Sequence, residues 1–285
     1  GLADLKLDLS VPLTDTARTS VRGSVTLGGN DVRVRPGTPL LAGARGRIDF
    51  TQRGFTIAGA NARVLGGDAS FEGGLQADGT LRFTGQGVAT AEALRRAGDL
   101  GPLSAFATPL RGQAAYRMTV GIVQGWPELS VTTDLVGIDS DWPAPFNKAA
   151  ATPLPTRWQT ALVPASLKPG EKVQDTLRLD IGNLLQLRLA RELSGPAARI
   201  TGGGIGVLEA APSPPSGVQV RAALGVVDAD AWLRAWQRLP ALAGEGAPWP
   251  PMQVLLRADQ LVAAERRLNQ VAVDLQHETV GGDSS

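Results

Sequence analysis

The chain has 285 residues, 28 basic against 27 acidic side chains and a formal net charge of +1, so neither nucleic acid nor an anionic membrane surface is steered to it by bulk charge. It has no cysteine, which excludes a disulfide framework and thiolate chemistry, and no apolar run approaches the roughly 18 residues of a spanning helix. Its 35 glycines and 20 prolines are spread through alternating segments, which points to many turns rather than to low-complexity disorder.

In chain order, Leu2 to Leu9 alternates apolar and polar residues until Val11-Pro12-Leu13, and Thr19 to Leu27 alternates again up to Gly28-Gly29. Asp31 to Arg35 reads as a short strand before Pro36-Gly37. From Gly46 to Gly87, short alternating runs are divided by Arg53-Gly54, Gly66-Gly67 and Ala77-Asp78-Gly79. A period of two places one set of side chains on one sheet face, and the glycine breaks suit hairpin turns, so this is a β-meander with one apolar face. Thr90 then caps a short helix, AEALRRA, stopped by Gly98.

Gly112 to Ile122 and Glu128 to Ile138 form a strand pair about Gln124-Gly125-Trp126-Pro127. The proline-dense segment 141–155 cannot be a central strand, because each proline removes a ladder donor. It reads as an extended excursion packed by Trp142 and Phe146, and as a candidate sub-boundary. Trp158 to Val163 resumes as a strand, and Lys168 to Glu171 is a turn. Gln174 to Ala190 is a hairpin about Gly182-Asn183, and Arg199 to Glu209 is a glycine-rich strand. After the loop Pro212 to Gly217, alternation returns up to Val227. Asp228 caps a second helix, ADAWLRAWQRL, with Trp232, Trp236 and Leu239 on one stripe. The loop from Pro240 to Pro251 leads to a last strand pair, Met252 to Ala263 and Leu268 to Gln276, about Glu265-Arg266. The tail, residues 279–285, is expected to be disordered.

The predicted fold is mainly β: a large, strongly curved antiparallel sheet forming an elongated groove or open sandwich, with two short helices. Roughly 14–18 strands at about 4.8 Å spacing would extend ~75 Å, a size at which twisted sheets curl or split. The helices are too short to cover the apolar face. Its inner side is expected to carry Phe55, Ile57, Phe71, Leu81, Phe83, Met118, Val120, Leu177, Leu179, Leu187 and Leu189. Later strands add Val220, Leu224, Val254, Leu256, Val271 and Val273.

Enzyme motifs are scarce, and no catalytic residue, metal ligand or cofactor is expected. Gly202-Gly203-Gly204-Ile205-Gly206 lacks the third glycine of a dinucleotide loop and leads into no helix; a bulged strand or close backbone approach explains it. His277 alone cannot build a zinc site. Asp139 and Asp141 solvate a loop, while Asp228 and Asp230 suit a helix N-terminus. Arg33/Arg35 and Arg45/Arg47 share faces by strand period and read as a solvated outer surface. Trp126, Trp142, Trp158 and Trp249 neighbour prolines and are expected to anchor loops. The helix bearing Trp232 and Trp236 is expected to dock on the sheet edge or close the groove.

Three segments carry a family resemblance: residues 60–97, with a Leu-Gly-Gly turn, DGTL and a small helix; residues 134–155, DLVGIDSDWPAPFNKAAATPLP; and residues 226–236, VVDADAWLRAW. Together they resemble the YhdP-like branch of the AsmA-like bacterial envelope proteins. The Asp141-Trp142 pair departs mildly from that pattern, where an apolar residue precedes the prolines. The resemblance implies an internal fragment, residues 1–285, of a periplasmic protein tethered to the inner membrane by an anchor outside this chain. It implies phospholipid acyl chains lying in a hydrophobic β-groove between inner and outer membranes, envelope partner proteins, and no nucleic acid. The competing reading is a structural or adhesive β-sandwich or solenoid with a dry core; a carbohydrate-active enzyme with a curved sheet and an acidic pair is a third, weaker one.

Overall fold

A computed structural model describes residues 2–11, 20–33, 39–77, 79–97, 103–195, 198–239 and 250–277. The expected turns at Pro12-Leu13 and Pro36-Gly37, Asp78 of the Ala77–Gly79 turn, Arg35, the stop at Gly98, most of the 240–251 loop with Trp249, and the tail lie outside the described residues.

The strands form one sixteen-stranded sheet. They are β1 (Ala3–Ser10), β2 (Ser20–Val32), β3 (Leu41–Thr51), β4 (Gly54–Val64), β5 (Gly66–Leu75), β6 (Leu81–Thr90), β7 (Leu110–Val123), β8 (Trp126–Thr133), β9 (Ile138–Ser140), β10 (Thr156–Leu162), β11 (Gln174–Ile181), β12 (Leu185–Glu192), β13 (Arg199–Val207), β14 (Gly217–Asp228), β15 (Met252–Ala263) and β16 (Arg266–His277). Strands pair in chain order except that β9 pairs β7, which leaves β8 beside β10. β1 and β16 each have one neighbour, so the sheet is open rather than a barrel.

The sheet is not wholly antiparallel. β13–β14 and β14–β15 are parallel pairs, each requiring a crossover instead of a hairpin. The first crossover, residues 208–216, runs over β13, where a Cβ at Gly204 or Gly206 would collide with the backbone of Pro212 or of Glu209 and Ala210. The glycine run is thus the close backbone approach expected of it. Asn30 to Val32 belong to β2, which continues past Gly28 through a bulge, rather than to a separate strand.

Among the described residues there are three short α-helices where two were expected: α1 (Ala91–Arg96), α2 (Leu103–Phe106) and α3 (Ala229–Gln237). α2 has four residues, too short for a sequence periodicity. The caps are as read: Thr90 Oγ1 accepts from Ala93 N–H, and an Asp228 carboxylate oxygen accepts from Ala231 N–H. Strand directions place α1, α2, the 134–155 excursion and α3 along the same long edge of the sheet, the helix lip. The opposite edge carries the β3–β4, β5–β6, β7–β8 and β10–β11 connections, the last containing a 3-10 turn at Pro164–Leu167.

Candidate functional site

Pairing register converts local alternation into a surface property. Residues directly opposite one another across strands share a face. Ala60 pairs Phe71, Phe71 pairs Gly85, Gly85 pairs Met118, Met118 pairs Val131, and Val131 pairs Trp158. The line continues through Leu179, Leu187, Ile205, Val220, Val254 and Leu275. One apolar rung therefore crosses the sheet from β4 to β16 without a polar residue. One position along, the rung Asn61, Ser70, Gln86, Arg117, Thr132, Arg157, Asp180 and Gln186 is polar throughout.

Every apolar residue proposed from the sequence falls on the first face. Phe55 and Ile57 align with Phe50 and Ile48, Phe83 with Val120, and Leu81 with Ile122. Leu177 aligns with Leu189, Leu256 with Val273, and Leu224 with Ala258 and Val271. The face is also wider than expected. It includes Leu5, Leu7 and Leu9 of β1, Phe50, Val218, Met252 and Leu275. Trp126 and Trp158 lie in strands, not loops, and Trp158 packs on this face beside Leu187, Ile205 and Val220. Leu275 escaped the sequence reading because the turn lies at Ala264-Glu265, one residue before the expected Glu265-Arg266, and that shift moves the partner of Val254 from His277 to Leu275. Trp158 and Val218 escaped it because their neighbours are set by an excursion and by a parallel crossover.

Two devices bend the apolar side inward. Along β5, Gly73 (φ +140°) and Gly74 (φ +151°) hold conformations that L side chains avoid, and a Cβ there would strike the backbone of Arg82 and Phe83 or of Phe55 and Thr56. β4 and β6 therefore close over the glycines, and the rings of Phe55 and Phe83 stack with centroids 5.1 Å apart although β5 lies between them. Other rings lie flat over neighbouring glycines: Phe50 over Gly23 and Phe71 over Gly85. The second device is an arc over β10–β14. Five of its buried apolar strand residues, Leu162, Leu177, Leu189, Val218 and Ala222, point to the apolar face, and one, Val227 at the end of β14, points to the other, so the apolar side is the more enclosed.

The cover is uneven. Leu177 (6 % exposed) and Val218 (2 %) lie in a dry cluster, so Leu177 and Leu189 form floor rather than free lining. A second buried cluster includes Ala62, Val64 and Ala69 on the same face, while Met118, Val120, Val131, Leu179, Leu187 and Val254 are half-buried, Phe55 is 37 % exposed and Leu275 60 %. Among the described residues no helix lies along this face.

The helix lip is built by the 134–155 excursion. Lys148 is buried, and its Nζ donates to the carbonyls of Leu135, Ile138 and Ala149 at 2.8, 2.8 and 3.1 Å. Burial pushes its pKa down, opposed in part by Asp139 and Asp134. Leu154 N–H donates to Asp134 O, and Gly182 N–H to Pro155 O, stitching the excursion to β11–β12. Trp142 stacks on Trp232 of α3, and Trp232 Nε1 donates to Ala144 O at 3.2 Å. Asp141 pairs with Arg111 across β9, so this carboxylate steadies the lip. Trp236 points outward, 55 % exposed, and so does not share the docking made by Trp232. A hollow of about 1160 Å³ opens on the opposite, polar face, lined by Arg45, Asn61, Ser70, Gln86, Arg117 and Thr132 among others.

Compared with known protein families, the chain matches the model described as YhdP protein over residues 1–284. No curated protein and no solved structure gives a significant match.

Proposed function

The chain belongs to the YhdP family, and on that footing we propose that its apolar face is a lane for phospholipid acyl chains in the periplasm, between inner and outer membranes. An anchor outside this chain would tether it to the inner membrane. Among the described residues no helix is long and apolar enough to cross a membrane. The observation that carries the reading is the unbroken apolar rung from Ala60 to Leu275, half-buried up to Val254, exposed at Leu275 and backed by a polar rung one residue away. Acyl chains would lie across the strands while headgroups stay wet at the lips. At about 0.8 kcal/mol per buried methylene, ten methylenes gain roughly 8 kcal/mol, which a continuous lane retains as the lipid advances. The role asks for no bond-making group: passive partition suffices.

The test uses adjacent positions that point to opposite faces. A photo-crosslinking residue at Met118, Val131 or Leu187 should capture phospholipid in cells. The same residue at Thr119, Thr132 or Gln186 should not. Equal capture on both faces, or none on either, would sink the lane. The second reading, a dry scaffold, is favoured by the clusters of Leu177, Leu189 and Val218 and of Ala44, Ala62, Val64 and Ala69. It predicts that the purified protein carries no extractable lipid.

A further inference from the structure

The geometry points to a second site, chemically opposite to the lane: the polar face of β3–β10 binds a linear β-1,4-linked glycan carrying one carboxylate per disaccharide. The hollow of about 1160 Å³ lies on this face, and Arg45, Asn61, Ser70, Gln86, Arg117 and Thr132 line it. These six are not a scatter. They are successive members of one register rung, each directly opposite the next, and the rung continues to Arg157 on β10.

Among the described residues, none of the seven side chains makes a hydrogen bond or ion pair within the protein. Cross-strand neighbours at about 5 Å can satisfy one another, and farther along this same face they do. Arg188 bonds Asp180, and Gln253 bridges Gln219 and Asp274. The rung in the hollow instead leaves amides, hydroxyls and guanidinium groups free. Asp68 and Asp134 stand at the helix-lip side of the hollow, and Asp68 lies 3.9 Å from Arg63. The acids therefore leave the rung arginines unpaired.

Spacing identifies the ligand. Strand neighbours stand about 4.8 Å apart, close to one sugar of an extended β-1,4 glycan. Arg45 and Arg117 are separated by four strand steps, β3 to β7, and Arg117 and Arg157 by two, β7 through β8 to β10. Both separations are whole numbers of disaccharides, about 19 and 10 Å. The guanidinium groups thus recur where a polymer with one carboxylate per disaccharide would present charge, and Arg is suited to bidentate carboxylate recognition. Asn61, Ser70, Gln86 and Thr132 supply donors and acceptors for hydroxyl and acetamido groups in between. No aromatic stacks along the rung, which disfavours single-stranded nucleic acid.

The test is equilibrium binding of the 285-residue chain to soluble cell-wall glycan strands alternating N-acetylglucosamine and N-acetylmuramic acid. Chitin oligomers serve as the neutral match, polyglutamate as the charge control, and anionic phosphatidylglycerol vesicles as the lipid control. The carboxylated glycan should bind at least about tenfold more tightly than chitin oligomers. The double variant Arg117→Gln, Arg157→Gln should erase that preference, and Asn61→Ala with Gln86→Ala should weaken both glycans severalfold, all with unchanged melting temperatures. Equal binding of polyglutamate, preference for vesicles, absence of glycan binding, or glycan binding indifferent to these variants would each overturn the site. Phospholipid crosslinking on the opposite face is a separate measurement, so either result stands without the other.

Discussion

Trp142 and Trp232 stack with ring centroids 5.7 Å apart, although the strands between their attachment points, β10 to β13, would extend roughly 20 Å if laid flat. One ring comes from the β8–β10 excursion and the other from α3, so the contact joins two parts of the helix lip across the arc. Trp232→Ala should release α3 from that lip. Amide exchange in Ala229–Gln237 should rise by at least about tenfold while β11 and β12 stay protected, since local openings draw on few contacts. Unchanged exchange would show that α3 is held by β15 alone.

Gly73 sets the crease in β5. Gly73→Ala must place a methyl against the backbone of Arg82 and Phe83 at a φ of +140°. It should cost about 1–3 kcal/mol in denaturant unfolding. The same change at Gly79, where a Cβ meets nothing within 4 Å, should cost less despite its positive φ. Equal losses at both would mean that the close approach of β4 and β6 contributes nothing.

Lys148 Nζ donates to three carbonyls of the lip, two of which, Leu135 O and Ala149 O, also accept from the N–H groups of Ile138 and Thr152. Lys148→Ala should destabilise the chain by about 1.5–3 kcal/mol, the range for losing hydrogen bonds from a charged donor, since backbone N–H groups still serve two of the three carbonyls. Limited proteolysis should then cut first within 134–155. A variant as stable and as resistant as the parent would contradict the clasp.

Glu192 accepts from Arg199 and bridges to Lys172, and these hydrogen bonds hold its carboxyl below the usual glutamate range. A depressed folded-state pKa means the unfolded chain binds the proton first. The contribution is therefore complete above the ordinary glutamate pKa and is lost as pH falls through the lower folded value. Melting curves of the parent and Glu192→Gln should differ at neutral pH and converge in that acidic window. A gap that persists into strong acid would assign the difference to something other than titration.

Much of the sheet was legible in the sequence because its information is local. The hairpins about Gln124-Gly125 and Gly182-Asn183 follow from turn chemistry, and a hairpin fixes which residues face each other; the last hairpin turns at Ala264-Glu265, one residue earlier than its sequence suggested. Asp228 and Thr90 announced their helices by capping. The parallel run β13–β14–β15 was hidden, because a crossover leaves no turn signature and strand polarity is not written in alternation. Trp158 was misread for the same kind of reason: its neighbouring prolines are local, while the cluster it joins on β11–β14 is not.

The amino-acid sequence by itself determined that this protein has two chemically opposite faces, since a period of two needs no tertiary contact to separate Met118 and Leu187 from Arg117 and Gln186. Only the tertiary structure decided how those faces are used. Gly73 and Gly74 fold the apolar side inward because β4 and β6 close where no Cβ intervenes, and register aligns Arg45, Arg117 and Arg157, distant in sequence, on one polar rung. Curvature and cross-strand alignment arise from pairing between distant segments, which alternation within any one of them cannot encode.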